Sequence, residues 1–457
     1  MEKTIAAIST AIGEAGIGIV RMSGPKSHQI GLEVFRNFKS QKLNTIRHRM
    51  MEYGHIVDGD LLVDEVLIAF MKNPHTYTRE DMVEIYCHGG SIAVKKVLNL
   101  LLKSGAFLAE KGEFTKRAFL NGRLDLSQAE AVIDLIDAKT DKSYEASLMQ
   151  LAGGIKKEVK DLKDKLLDML ARVEYSINFM EDLQDELPVE PVLEIGEKVI
   201  KRIDELLNSA NKGRILREGI KTVIVGKPNV GKSSLLNAIL KENRAIVTDI
   251  PGTTRDTIEE YIDLGGVSIK LIDTAGIRDT EDLVESIGVE KSIALMENAD
   301  LIIAIFDMSK ELDEEDMKIA DMLKDRKSII LLNKHDLDIK ADKEMLKKLF
   351  SNKNIIDMSI VNQKGIKELE DAILDMFFDG EIKLTDDSMV TNMRHANLLE
   401  QAKTSLESCL EDIRAGFPLD AVEIDLKNSY TSLSEITGEA IEEDVLDKIF
   451  NDFCIGK

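Results

Sequence analysis

The sequence predicts a multidomain chain of the α/β and α classes. An N-terminal α/β domain covers 1–118, a helical domain is split between 119–215 and 381–457, and a second α/β domain over 216–380 is inserted between its halves. Three observations carry this. Apolar strand-sized runs alternate with amphipathic helical runs from 219 to 378. Apolar residues recur at three- and four-residue steps on either side of that region. The first 118 residues mix strand-like and helical runs punctuated by glycine. A chain of 457 residues also exceeds one ordinary core.

In the first domain GIGIVRMSG, VLIAFM and MVEIYCHGG read as strands and SIAVKKVLNLLLKSG as a helix. From about 126 the pattern is helical, with Val159, Leu162, Leu166, Leu170 and Val173 on one face, a stripe better read as bundle core than as a cofactor groove. LQDELPVEP at 183–191 breaks the helix, and periodicity resumes to about Asn211. The inserted region reads KTVIVG, KSSLLNAIL, VSIKLID, EKSIALMENA, DLIIAIFD, EEDMKIADMLKD, SIILLNK, IIDMSI and GIKELEDAILDMFF, the alternation of a mostly parallel sheet covered on both faces. Helical periodicity returns from about 392 to the end. Domains whose termini lie close together tolerate such insertion.

The apolar content of 44% indicates a globular chain, and its most apolar run, LIIAIF at 301–306, is far short of a membrane span. No targeting pattern opens the chain, and Cys87, Cys409 and Cys454 are too few and too scattered for a disulfide framework, so a cytoplasmic protein is expected. The net charge of −23 excludes a general polyanion binder. Residues 1–118 carry 16 basic against 13 acidic side chains, so the acidity belongs to the remainder. Any contact with nucleic acid is then local or shared with a partner.

GKPNVGKS at 226–233 matches the phosphate-loop pattern between a strand and a helix. Gly226 and Gly231 permit a tight turn, with Asn229, Val230, Gly231, Lys232, Ser233 and Ser234 around the phosphates. Lys232 reaches the β/γ oxygens and Ser233 offers a hydroxyl to magnesium. Asp273 ends LIID and serves the magnesium shell; Thr274 and Ala275 follow, and Gly276 offers its amide to the γ-phosphate. In NKHD at 333–336, Asp336 accepts from the two donors on the guanine edge, while Asn333 and Lys334 brace the base pocket. Adenine would leave that carboxylate unpaired. Ser359 stands where a serine-initiated loop meets the base, although Ile360 departs from the usual pattern. As a set these motifs specify a Ras-like P-loop GTPase domain.

One position conflicts with that chemistry. In Ras-like enzymes the residue after the D-T-A-G glycine is the glutamine that orients water, and here it is Ile277. No arginine finger is evident. Asn229 offers a side-chain oxygen that can hold a monovalent cation where a finger would sit, or it simply stabilises the turn. AIVTDIPGTTRD at 245–256, including Thr248, Asp249, Ile250, Pro251, Gly252, Thr253 and Thr254, can fold over the nucleotide and lend carbonyls to the same ion.

The inserted domain, AIVTDIPGTTRD, DTAGIRDTEDLVESIGVEK, LREG at 216–219, SEITGE at 434–439, EFTKRAFLNGRLDLSQAEA at 113–131 and the terminal FCIGK at 453–457 resemble the MnmE (TrmE) family over essentially the whole chain. The resemblance implies a GTPase that modifies the tRNA wobble uridine. It further implies an N-terminal tetrahydrofolate-binding-like domain that dimerises and binds 5-formyl- or 5,10-methylene-tetrahydrofolate, and a flavoprotein partner, MnmG, that supplies FAD. No flavin fingerprint occurs in this chain. Carried over residue by residue, the potassium ligands are Asn229, Thr248, Ile250 and Thr253, and magnesium is held by Ser233 and Thr254. The water-orienting acid falls on Glu285, which from residue type alone reads as a surface glutamate. The folate site falls on Arg21, Glu84, Arg123 and Lys457. A member of the family has lysine where this chain has Arg123, which keeps the charge and changes the hydrogen-bond geometry. Cys454 is a candidate for chemistry on the one-carbon unit, with packing of the tail an equal reading because nothing near it in sequence lowers its pKa. His88-Gly89-Gly90 is read as a turn in preference to a ligand group.

The rival reading is a ribosome-assembly GTPase switch of the Era or Der type. This chain has no second phosphate loop and no basic C-terminal module. A membrane iron-transport GTPase is disfavoured because no run is long enough to span a bilayer.

Overall fold

Period-two burial shapes the first sheet. In β2 (Ile17–Ser23) and β6 (Met82–His88), Val20, Met22, Val83, Ile85 and Cys87 are buried on one face, while Arg21, Glu84 and Tyr86 share the other. The antiparallel register sets Arg21 directly opposite Glu84 and Ile19 opposite Tyr86. With β1 (Ile5–Ile8), β3 (Phe35–Asn37), β4 (Met51–Asp58), β5 (Leu61–Met71) and β7 (Phe107–Leu108) the strand order is β3-β4-β5-β6-β2-β1-β7. Its pairs are antiparallel except β1 with β7. Helices α1 (Ser27–Val34) and α2 (Ser91–Lys103) bring Ile30, Val94, Val97 and Leu101 into one core with Val20, Ile68 and Ile85.

The structure, a computed structural model, describes residues 3–43, 45–179, 189–242, 260–271, 296–380, 382 and 388–457. It divides into two units, one of Met1–Ile133, Lys156–Leu170 and Leu426–Lys457, the other of Asp134–Ile155 and Ala171–Asp425.

The first unit continues from its sheet through α3 (Glu113–Leu120) into α4 (Leu126–Asp137) and closes with α14 (Glu443–Asn451). Leu126, Ala129, Leu446, Phe450 and Phe453 form a small core. The last residues are built into this unit. Ile455 bridges Lys111, the Phe114 amide donates to the Lys457 carbonyl at 3.1 Å, and Gly456 lies so close to Ile8 that a Cβ there would sit 2.2 Å from its carbonyl oxygen.

In the second unit α5 (Asp141–Leu151) starts at Thr140, whose side chain forms a capping box with Ser143. The expected stripe lies on α6 (Gly154–Phe179), whose stretch Lys156–Leu170 belongs to the first unit, and Val159, Leu162, Leu166, Leu170 and Val173 are all buried. In the second unit helix α7 (Val189–Glu218) packs on α12 (Met393–Ala415), with Gly196 against Leu410; α13 (Leu419–Thr437) follows, and from Leu426 on it belongs to the first unit. Ile215 and Leu216 at the end of α7 belong to the core of the inserted domain, and Gly219, at φ +82°, turns the chain straight into β8 (Ile220–Val225). Arg214 pairs with Asp300 at 2.8 Å at this junction, and Arg217 with Asp134 at 2.7 Å.

The inserted sheet has the order β13-β12-β11-β8-β10-β9. It comprises β9 (Glu260–Leu264), β10 (Val267–Leu271), β11 (Leu301–Asp307), β12 (Ser328–Asn333) and β13 (Asn354–Asp357) with β8. All neighbours run parallel except the β9–β10 hairpin, an antiparallel edge that the alternation of the sequence does not signal. Strand β11 is buried along its whole length, as a central parallel strand covered on both faces should be. Helices α8 (Lys232–Glu242), α9 (Glu314–Met322), α10 (Lys343–Leu349) and α11 (Ile366–Phe378) complete the domain among the described residues.

Candidate functional site

The loops leaving the C-terminal ends of β8, β11, β12 and β13 meet at one edge of the inserted domain, where open parallel sheets place their ligands. The phosphate loop runs from Gly226 to Gly231. Gly226 has φ +152°, and a Cβ on it would stand 2.6 Å from the Ile305 carbonyl; Gly231 has φ +111°, and a Cβ there would meet the Asn333 amide nitrogen at 2.5 Å. Both positions need glycine on two counts, conformation and space. The Lys232 ammonium donates to the carbonyls of Gly226 at 2.7 Å and Lys227 at 2.8 Å, and no carboxylate pairs with it among the described residues. Burial lowers its pKa. It is a positive charge held by neutral acceptors, ready to be traded for phosphate oxygens. Ser233 and Ser234 open α8 at the surface.

Asn229 is exposed at φ +63°, and its side chain makes no hydrogen bond among the described residues. The turn-stabilising role therefore has no visible partner. The loop is pinned by Lys227, which bonds Asp313 at 2.5 Å and Asp316 at 3.0 Å. That ammonium holds the Asp313 carboxyl down at about 2.

The NKHD loop is tied to the phosphate loop by one side chain. The buried Asn333 amide donates to the Val230 carbonyl at 2.8 Å, and its oxygen faces the Ile360 amide at 3.4 Å. Lys334, at φ +67°, reaches back to Asp307 at 2.6 Å. Burial alone would raise the Asp307 carboxyl, but hydrogen bonds from Lys334 and from the hydroxyl and amide of Ser309 outweigh it and hold it below the usual carboxylate range. Asp336 is exposed and accepts from the Ser359 hydroxyl at 2.6 Å. Ser359 thus stands beside Asp336, despite the departure at Ile360. Sequence reasoning missed Asp307 and Ser309; the available signal was a carboxylate ending the otherwise apolar run LIIAIFD.

Thr248, Asp249, Ile250, Pro251, Gly252, Thr253, Thr254, Asp273, Thr274, Ala275, Gly276, Ile277 and Glu285 lie outside the described residues.

A second constellation occupies the first unit. Arg21 donates to Glu84 through Nε at 2.9 Å and through Nη2 at 2.8 Å, and the Tyr86 hydroxyl donates to the other Glu84 oxygen at 2.8 Å. Oε1 therefore takes both Arg21 donors, and Oε2, with one donor from Tyr86, keeps a lone pair to offer a ligand. Burial and the bond to Glu84 push the Tyr86 phenol up to about 12. Lys457, docked by the tail, lies within electrostatic reach of Arg21, Glu84 and Cys454, and burial followed by the Arg21 charge lowers its pKa. Tyr77 joins the group to Arg123: the Arg21 guanidinium lies 5.6 Å from its ring centroid and that of Arg123 4.6 Å. Four sequence-distant candidates, Arg21, Glu84, Arg123 and Lys457, are therefore gathered around one patch. Tyr77, Tyr86 and Phe114, whose ring lies 5.8 Å from Arg21, were not singled out from sequence because an isolated aromatic carries no motif. Cys454 is exposed and free at its margin. His88 ends β6 and bonds Asp64 at 2.7 Å, which raises its pKa, and Gly90 then caps α2.

Residues 4–123 match the model of the GTP-binding protein TrmE N-terminus, and residues 126–454 match that of the MnmE helical domain. The chain belongs to the MnmE family. A relative in Finegoldia magna, named tRNA modification GTPase MnmE, is 60% identical over 459 residues, covering 100% of both chains. Relatives of the same name in Alkaliphilus metalliredigens and Clostridioides difficile are 52% and 50% identical, again over 100% of both. Among the described residues of this MnmE-family chain no helix is long and apolar enough to cross a membrane.

Proposed function

We propose that the chain is a potassium-dependent GTPase of tRNA modification, which takes part in adding an aminomethyl or carboxymethylaminomethyl group at C5 of the wobble uridine. The observation that carries the GTPase reading is the Asn333 amide, which locks the phosphate loop to the base loop and so fixes the distance between the two ends of one nucleotide. In this reading Asp336 accepts from the guanine edge, and Lys232 exchanges its two loop carbonyls for β/γ oxygens. Ser233, with Thr254, holds magnesium. Asn229, whose exposed oxygen has no partner among the described residues, binds potassium together with Thr248, Ile250 and Thr253. Bound potassium and magnesium supply positive charge at the phosphates, the part an arginine finger plays elsewhere. Glu285 orients the attacking water in place of the residue at Ile277.

The Arg21–Glu84–Lys457 patch is the proposed site of 5-formyl- or 5,10-methylene-tetrahydrofolate. Glu84, oriented by Arg21, accepts from the amino-pyrimidine edge, and Arg123 faces the glutamate carboxylates. The remaining proposals are a homodimer, a heterocomplex with the flavoprotein MnmG holding FAD, tRNA as the shared substrate, and a cytoplasmic location.

The test is GTP turnover by the full chain in potassium and in sodium chloride at matched ionic strength. Strong activation by potassium that is lost in Asn229→Ala is the expected result. Equal, slow turnover in both salts overturns the potassium reading while leaving GTP binding in place.

A further inference from the structure

The candidate folate patch does not end at Arg123. Beyond it opens a cleft of about 480 Å³ whose lining includes Arg49, His75, Tyr77, Arg79 and Arg123, and no acidic residue. Tyr77 belongs to both places, since its ring lies near the guanidinium of Arg21 in the patch and near that of Arg123, with which it lines the cleft.

The three arginines differ from three others of the same domain in how they are neutralised. Arg21, Arg47 and Arg117 each pair with a glutamate. Arg49, Arg79 and Arg123 are exposed and pair with no carboxylate among the described residues. Arg49 donates to the His75 carbonyl at 2.6 Å and Arg79 to the Asn121 carbonyl at 2.9 Å, so both guanidiniums are steadied by neutral acceptors with donors to spare. Arg49 and Arg79 also share an uncommon backbone, each at φ +59°. Two non-glycine residues in the left-handed region on one cleft is an arrangement that costs free energy. In a chain of net charge −23, an unneutralised triad of guanidiniums is a site for anions.

We infer that this cleft binds the poly-γ-glutamate tail of the folate, so that the preferred form of the ligand is polyglutamylated. The inference rests on the folate reading above. The cleft is continuous with the patch: it begins at Arg123 and Tyr77, where the first glutamate of the ligand would emerge, and each further γ-linked glutamate brings one carboxylate. Planar guanidiniums meet carboxylates in pairs of parallel hydrogen bonds.

The test is calorimetric titration of the full chain with monoglutamyl and triglutamyl 5-formyltetrahydrofolate at low salt. The variants are Arg49→Asn, Arg79→Asn and the double substitution, because asparagine tolerates the left-handed backbone and removes the cation. The expected result is triglutamyl binding at least about tenfold tighter than monoglutamyl. The double variant should lose that gain and keep its monoglutamyl affinity. Monoglutamyl binding with no gain from the tail overturns this inference and leaves the folate reading standing. A gain that persists in the double variant overturns it as well. Failure of both ligands to bind overturns the folate reading and this one with it. A tRNA transcript that binds through the same arginines, with no gain from the tail, would make a nucleic-acid phosphate the occupant and also overturn it.

Discussion

At the scale of single residues, the nucleotide site depends on groups whose geometry leaves one solution. Gly231→Ala places a methyl against the Asn333 amide in a backbone that L side chains rarely adopt. It should destabilise the inserted domain by about 1–3 kcal/mol and weaken nucleotide binding, read by thermal denaturation and by titration with fluorescent GDP. Asp336→Ala removes the acceptor proposed for guanine. GTP affinity should fall roughly 10- to 100-fold, the range for a hydrogen bond to a charged group, while the melting profile stays near that of the parent. Asp307 supplies a pH dependence. Its carboxyl is held below the ordinary value, so its contribution to stability is complete above the unfolded pKa and is lost as pH falls through the lower, folded one. Asp307→Asn should be less stable than the parent at neutral pH in urea titrations. The gap should close only in acid, below about pH 4.

Among the elements, helix α7 links the bundle to the GTPase domain. Its last turn contributes Ile215 and Leu216 to the GTPase core, and its middle holds the segment by which the chain re-enters the bundle. The Val390 amide donates to the Ser209 hydroxyl at 3.1 Å, Arg202 reaches the Ser388 hydroxyl at 3.0 Å, and Thr391 bonds Gln150 at 2.7 Å. Gly213 is the point of closest approach, because a Cβ there would lie 2.1 Å from the Val390 carbonyl oxygen. In an exposed helix a Gly→Ala change stabilises by up to about 1 kcal/mol. Gly213→Ala should instead destabilise by about 1–3 kcal/mol through overpacking, measured by chemical denaturation of the full chain. A stabilised variant would mean that the 388–391 segment moves aside freely.

For the molecule as a whole, the C-terminal tail and the phosphate loop belong to different units. The tail builds one wall of the N-terminal patch through Ile455, Gly456 and Lys457. Deleting Phe453–Lys457 should abolish folate binding and lower the melting temperature of the unit that holds the N-terminal sheet. GTP affinity should be unchanged. Loss of GTP binding in that deletion would show that the two units do not fold independently.

How much of this was legible in the chain follows the range of each interaction. The α6 stripe, the strands of the inserted sheet and the phosphate and base motifs were readable because each is written in consecutive residues whose spacing matches a helix, a strand or a tight turn. The antiparallel β9–β10 edge was not, since a short hairpin on an α/β sheet leaves no mark in the alternation of elements. The residues that complete the sites were also out of reach. Asp307 meets Lys334, and Asn333 meets Val230, only because parallel strands end on the same edge of the sheet. Tyr77 meets both Arg21 and Arg123 through the packing of the first domain, and Lys457 joins Arg21 only because the tail returns to that domain. The local periodicity and turn chemistry of the chain decided which elements form and that a nucleotide site exists. Long-range packing, which brings together side chains hundreds of residues apart, decided which of them share a charge, a ring face or a cleft.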